Sequence, residues 1–204
     1  MIYFYSGTPG SGKSLHVAKD IYTKLLSRKQ NVICNFQINQ NLLKKKKRGN
    51  FLYVPNFDIS PKFFIDYAKQ NHVSGKEGQT LVVIDECQII FNPRNWQDKD
   101  RLSWIEFFTK HRHYGYNFIL VSQFDRLVDR QIRALFEYEV IHRKVNNFKI
   151  GMFFPVKVFV AVTYWYGVKE RVGAEFFFYK KKWGRLYDTF ADFDKKSDNS
   201  QIAD

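Results

Sequence analysis

Apolar residues follow two different periods along this chain, and the alternation between them sets out the expected fold. Ile2–Tyr5 is a short apolar run that leads directly into a glycine-rich loop. Beyond the loop, Ala18, Ile21, Tyr22, Leu25 and Leu26 recur at helical spacing and predict a helix with one apolar face. Asn31–Phe36 and Phe51–Val54 read as strands. Ser60 before Pro61 is a helix start, with proline at the first helical position, and the helix is expected to run to about Gln70. Leu81–Asp85 is apolar without interruption until its terminal carboxylate, the pattern of a central strand covered on both faces. Asp100–His113 predicts a helix that stops at Gly115, Asn117–Ser122 a further buried strand, Val128, Ile132 and Leu135 one face of a short helix, and Tyr138–His142 another strand.

Past Gly151 the intervening helices disappear. Val156–Tyr166 and Ala174–Tyr179 predict an antiparallel hairpin, with the turn placed between Gly167 and Gly173. The fold class is therefore α/β: a mainly parallel sheet flanked by helices, with a C-terminal β-hairpin. One domain over residues 1–190 is expected, with a core over 1–145 and the hairpin over about 151–190. The remainder, 191–204, is polar and lacks a core pattern, so a disordered tail is expected there.

Composition changes this picture in three ways. A length of 204 residues suits one domain with a sizeable core. Lysine and arginine exceed aspartate and glutamate by 13, which points to a polyanionic partner such as nucleic acid or an acidic membrane surface. The run Lys44–Arg48 reads as a solvated basic loop or a phosphate-backbone contact. Cys34 and Cys87 lie in apolar runs and read as buried thiols rather than a disulfide framework. No secretory leader is expected, because the N-terminus runs straight into a strand. The most apolar stretch, Met152–Val168, carries Pro155 and Lys157 and falls short of the roughly 20 residues of a spanning helix.

The chemistry is concentrated in two segments. Gly7, Thr8, Pro9, Gly10, Ser11, Gly12, Lys13 and Ser14 fit G-x-x-x-x-G-K-[ST] at every fixed position, after a strand and before a helix, with Leu15 continuing into that helix. Backbone N–H groups of such a loop converge on phosphate oxygens, and the helix that follows points its positive end at them. The pattern predicts a site for ATP with Mg²⁺, in which Lys13 should reach the β- and γ-phosphates and Ser14 should bind the ion through its hydroxyl. Asp85 and Glu86 supply the second half. Asp85 falls at the carboxyl end of a central strand, where it would hold Mg²⁺, and Glu86 is placed to polarise the attacking water. Gln123 ends the next strand and can touch the γ-phosphate or the water. Arg94, Arg112, Arg130 and Arg133 all follow the acidic pair, and Arg133 is the first candidate for an arginine finger across a subunit boundary. His111 and His113 lack partners at metal-ligand spacing.

These residues resemble those of the Zot family, the zonula occludens toxin-like and gene I-like assembly proteins of filamentous phages, within the FtsK/HerA-type group of P-loop motors. The resemblance rests on GTPGSGKS, on NVICNF, on LVVIDECQIIFNPR, and on FFTKHRHYGYNFILVSQ followed by DRQIR, and it covers roughly residues 1–145. It implies an ATPase motor for virion morphogenesis and export, working as a homo-oligomer, by the habit of the group a hexamer. Phage assembly or membrane proteins are the implied partners, at the inner face of the host membrane. Family members commonly continue into a transmembrane helix and an outer domain, so anchoring is expected through partners or a further segment.

Three other readings compete. A DNA-packaging or DNA-translocating ATPase agrees with the basic charge, and extruding a virion also moves DNA. A small P-loop kinase shares the loop but not the Asp85–Glu86 pair, and it would need an arginine-rich lid. A nucleotide-dependent scaffold would bind without hydrolysis.

Overall fold

The computed structural model describes residues 1–43, 48–94, 98–145 and 157–187. Lys44–Lys47 of the basic run, the start of the expected hairpin at 151–156 and the expected tail 191–204 lie outside the described residues.

In chain order the elements are β1 (Ile2–Ser6), α1 (Lys13–Tyr22), β2 (Asn31–Cys34), β3 (Phe51–Tyr53), α2 (Pro61–Asn71), β4 (Thr80–Ile84), α3 (Asp98–Lys110), β5 (Tyr116–Val121), α4 (Arg130–Arg133), β6 (Tyr138–Lys144), β7 (Val158–Trp165), β8 (Arg171–Phe178) and α5 (Lys181–Gly184). The strands form one sheet in the order β3-β2-β4-β5-β1-β6-β7-β8. Pairing is parallel from β3 through β6 and antiparallel across β6, β7 and β8.

Strand residues alternate between two cores because successive side chains point to opposite sheet faces. Ile2, Phe4, Ile33, Val82, Ile84, Phe118 and Leu120 meet α2, α3 and α4 on one face. Tyr5, Val32, Cys34, Leu81, Val83, Ile119 and Val121 meet α1 on the other. The uninterrupted apolar run of β4 thus serves both faces. The phenylalanine-rich composition is spent on the first core, where the Phe64 ring lies 5.4–5.6 Å from the centroids of Phe107, Tyr116 and Phe118. The second core also takes Phe159, Ala161 and Phe177 of the hairpin, together with Trp183 and Leu186. The hairpin is therefore part of the same hydrophobic structure as the parallel strands.

Four local features refine the expectations. Ser60 caps α2, its hydroxyl accepting from the Phe63 N–H at 3.2 Å, with Pro61 next in the chain. After α1 the chain runs through a wider π-helical turn, Thr23–Ser27, in which the Arg28 N–H reaches the Thr23 carbonyl. That shift buries the adjacent Leu25 and Leu26 together. The helix expected around Val128–Leu135 is reduced to the single turn Arg130–Arg133, capped by the Asp129 side chain on the Gln131 N–H. The hairpin turn is tighter than Gly167–Gly173: Lys169 takes φ of 55°, β8 already begins at Arg171, and Gly173 pairs with Thr163 inside the ladder.

Cys34 and Cys87 are free and buried. Met152–Val168 contributes β7 rather than a helix, and among the described residues no helix is long and apolar enough to cross a membrane.

Phe64 is fully buried at the centre of the first core. Phe64→Ala should destabilise the fold by about 3–5 kcal/mol through lost transfer energy and a residual cavity, read as a drop in the urea midpoint.

Candidate functional site

β1 lies between β5 and β6, so its carboxyl end opens at the middle of the sheet. The loop that leaves it is shaped by glycines. Gly7, Gly10 and Gly12 have φ of 140°, 74° and 100°. Space is decisive at two of them. A Cβ on Gly7 would stand 2.7 Å from the His142 carbonyl oxygen, and one on Gly12 would stand 2.6 Å from the Phe159 ring. Gly12 is the N-cap of α1; no side chain caps that helix and no acidic residue occupies its first turn. The first-turn N–H groups of a helix have no intrahelical acceptor, so this end is left to receive an anion.

Lys13 curls back over the loop, its ammonium donating to the carbonyls of Gly7 at 2.6 Å and Thr8 at 3.3 Å. Burial lowers the pKa of its ammonium, against the opposing pull of the nearby Glu86 and Asp85 carboxylates. Ser11 is buried in the loop, and its Oγ has no hydrogen-bond partner among the described residues.

Asp85 follows β4, whose five residues are all buried. Its main chain is held by Asn35 at the end of β2. The Asn35 Oδ1 accepts from the Asp85 N–H at 2.7 Å, and its Nδ2 donates to the Asp85 carbonyl and to Asn56 Oδ1, each at 2.8 Å. The carboxylate itself accepts from the Glu86 N–H at 2.9 Å through Oδ1 and from the Tyr187 hydroxyl through Oδ2. Burial raises the Asp85 pKa, and the Tyr187 hydrogen bond opposes that shift. The Tyr187 hydroxyl is pushed well above its usual value, by burial first and by Asp85 second.

Glu86 is exposed and takes φ of 47° and ψ of 46°, left-handed backbone that costs a non-glycine residue on the order of 1 kcal/mol. Its Oε2 accepts from Gln88 Nε2.

Gln123 comes to the loop through its main chain, its carbonyl accepting from the Gly7 N–H at 3.3 Å. Arg133 is not brought to the loop by any such contact. It pairs with Asp125 of its own chain at 3.4 Å, and Tyr166 donates to the same carboxylate oxygen at 2.9 Å. Arg112 pairs with Glu137, whereas Arg94 and Arg130 are exposed. His111 serves the fold: buried, it accepts from the N-terminal ammonium at 3.0 Å through Nε2 and donates to the Phe108 carbonyl through Nδ1. Burial takes its pKa down to about 4. Among the described residues no group of three or more His, Cys, Asp or Glu could hold a metal ion alone. Ser14 and Asp85 are hard oxygen donors, and so small a set suits Mg²⁺, which keeps several waters and takes phosphate oxygens.

Behind the loop lies a polar chain, buried at Ser6, His142 and His16 and reaching the surface at Glu175. His142 Nδ1 donates to the Ser6 carbonyl at 3.1 Å, and its Nε2 lies 2.8 Å from His16 Nδ1. His16 Nε2 in turn lies 3.5 Å from Glu175 of β8. Burial, then His16, take the His142 pKa down to about 3, so its ring stays neutral.

Asn35, Tyr187, His16 and His142 were not among the residues expected at the site. Asn35 left a trace in the sequence as a polar residue within the apolar run NVICNF, and Tyr187 left one through the segment LYDTF, which resembles the Zot family.

A strand, a glycine-shaped loop, an uncapped helix and a carboxylate pair at the end of β4, one strand removed from β1, are the parts of a P-loop NTPase fold. Residues 1–191 match the family described as Zonular occludens toxin (Zot). The chain belongs to the Zot family.

The Gene 1 protein of Enterobacteria phage fd is 31% identical to this Zot-family chain over 156 residues, which is 72% of the chain and 43% of that protein. The chain therefore spans less than half the length of this phage relative. Two solved structures share the fold. The N-terminal domain of zonular occludens toxin from Neisseria meningitidis has a TM-score of 0.53 at 19% identity, with 92% of this chain and 98% of that one covered. The DNA-packaging ATPase from Sulfolobus Turreted Icosahedral Virus has a TM-score of 0.52 at 16% identity, with 88% and 96% covered.

The raised Asp85 pKa has a sign that can be checked. A carboxyl whose folded pKa lies above its unfolded value contributes stability at low pH that is lost as pH rises through the folded value. Without nucleotide, Asp85→Asn should raise Tm at pH 7, and the gap to the parent should close as pH falls below the ordinary carboxylate range. Thermal melts at several pH values measure it.

Proposed function

We propose that this Zot-family chain is an ATP-hydrolysing motor domain for filamentous-phage assembly and export, acting as a homo-oligomer at the inner face of the host membrane. The observation that carries this reading is the convergence of the Lys13 ammonium, the uncapped start of α1 and the Asp85–Glu86 pair at the carboxyl ends of central strands. Similarity to a phage Gene 1 protein supports the assembly setting.

In this reading the loop from Gly7 to Leu15 wraps the phosphates and the N–H groups of Gly10, Gly12, Lys13, Ser14 and Leu15 cradle them, with Lys13 released from the Gly7 and Thr8 carbonyls to reach them. Ser14 and Asp85 hold Mg²⁺, which offsets charge on the transferring phosphoryl group. Asp85 holds its carboxylate toward that site while Asn35 fixes its main chain. Glu86, exposed beyond the strand end, takes the proton of the attacking water, and Gln123 orients that water from beside Gly7. Arg133 as the finger has to leave Asp125 when a neighbouring subunit docks, which would link hydrolysis to assembly.

A DNA-moving role is the second reading, favoured by the excess of 13 basic residues.

The test is phosphate release across protein concentration, with and without single- and double-stranded DNA. Turnover should rise cooperatively with concentration. Lys13→Ala should abolish nucleotide binding. Glu86→Gln should keep ATP binding and lose about 10²–10⁴-fold in turnover, the usual contribution of a general base. Unchanged turnover in Glu86→Gln would sink the mechanism, and DNA stimulation that falls steeply with salt would favour the second reading.

A further inference from the structure

The loop and the C-terminal segment enclose a cavity of about 300 Å³, with Gly10–Leu15 on one side and Phe159, Tyr179, Trp183, Gly184 and Tyr187 on the other. Several independent features make it a built site. Trp183 is only 8% exposed, and its indole Nε1–H is buried with no hydrogen-bond partner among the described residues. A buried donor without an acceptor is costly, and native structures leave few of them. Tyr179 is 48% exposed and presents ring surface at the same cavity. It packs on Gly184, where a Cβ would stand 2.6 Å from its hydroxyl. The Trp183 ring is held in place by the ammonium of Lys180, 4.7 Å from its centroid, and by that of Lys182 at 5.7 Å.

The nucleotide reading fixes where a bound molecule must leave the loop. With the terminal phosphates at Lys13 and Ser14, the sugar and base continue past the first turn of α1. A second opening of about 190 Å³, lined by Thr8–Ser11 and Lys144, has no aromatic side chain. The cavity has aromatic surface and Trp183 in its wall, whose buried indole N–H still needs an acceptor, and a planar heterocycle with ring nitrogens and a ribose offers both a stacking face and acceptors.

We propose that this cavity is the base and ribose subsite for a purine nucleoside triphosphate, with Tyr179 stacking on the base and Trp183 Nε1–H donating to an acceptor on the nucleoside. The proposal rests on the nucleotide reading above and assigns the C-terminal segment Tyr179–Tyr187 to ligand binding.

Isothermal titration of the full chain with Mg²⁺ and either a non-hydrolysable ATP analogue or inorganic tripolyphosphate tests it. Trp183→Phe keeps an aromatic ring and deletes the N–H; it should weaken the analogue about ten-fold, the loss of one hydrogen bond. Tripolyphosphate affinity should stay within about two-fold of the parent, since no phosphate contact changes. Tyr179→Leu, a second variant that removes the stacking ring, should show the same split, with melting curves confirming that both remain folded. Tripolyphosphate binding as tightly as the analogue in the parent, or a Trp183→Phe variant that weakens both or neither, would overturn the subsite. Loss of both ligands in the parent would overturn the nucleotide reading itself, a result distinct from a failed subsite in which tripolyphosphate still binds.

Discussion

The uncapped start of α1 is the constraint on which the rest of the structure depends. A helix that begins at Lys13 without a capping side chain or a first-turn carboxylate leaves its donors facing outward. The backbone that delivers the chain there passes through three glycines at positive φ. Such a loop holds its shape only if something rigid backs it. Ser6 is tied to His142, the Gly7 N–H to the Gln123 carbonyl, and Gly12 lies against the Phe159 ring. Three neighbouring elements therefore press on one short loop: β6, the exit of β5, and β7 of the hairpin. The arrangement keeps the donors apart from internal acceptors, and an anion is the group that resolves the resulting field.

The same logic explains why the hairpin is present. In a purely parallel sheet, β6 would be an edge strand. Here β7 and β8 extend the sheet and place Glu175 beside His16 and Lys19 of α1. The chain Ser6–His142–His16–Glu175 thus joins the end of β1, the helix that follows the loop and the outermost strand through polar contacts that are buried as far as His16 and end at the exposed Glu175. A network of this kind holds a unique geometry only when its members are satisfied. His142 meets that condition as a neutral ring, donating from one nitrogen to Ser6 and facing His16 with the other.

Much of the fold was legible because its signals are local. Unbroken apolar runs marked β4 and β5, and Ser60–Pro61 marked α2 through one cap. The loop residues are contiguous, so their motif survives in one dimension. What was not legible depends on contacts between distant segments. Asn35 and Asp85 are 50 positions apart, and Tyr187 lies 102 positions from the carboxylate it contacts. No periodicity encodes such pairs. Arg133 shows the converse: its position after the Gln123 strand suggested a finger, but the Asp125 carboxylate that holds it depends on how the segment after β5 turns back on itself. The hairpin turn was misplaced for a related reason, since glycine marks permissive backbone without saying which permissive site is used. Lys169 takes the left-handed position, and Gly173 joins the ladder.

The contact between Tyr187 and Asp85 joins these threads. A carboxylate buried at the end of a central strand is destabilised by the burial that positions it, and here two donors attend it, the Glu86 N–H and the Tyr187 hydroxyl. The Tyr187 ring is wedged edge-on against Phe36 at 4.4 Å, and the neighbouring Leu186 is fully buried, with its carbonyl bonded to the Asn39 N–H. The segment carrying Tyr187 is thus anchored on the β2 side, while Trp183 and Tyr179 extend it across the start of α1 toward β8. A single hydrogen bond, from the Tyr187 hydroxyl to Asp85 Oδ2, therefore ties the C-terminal aromatic segment to the carboxyl end of β4.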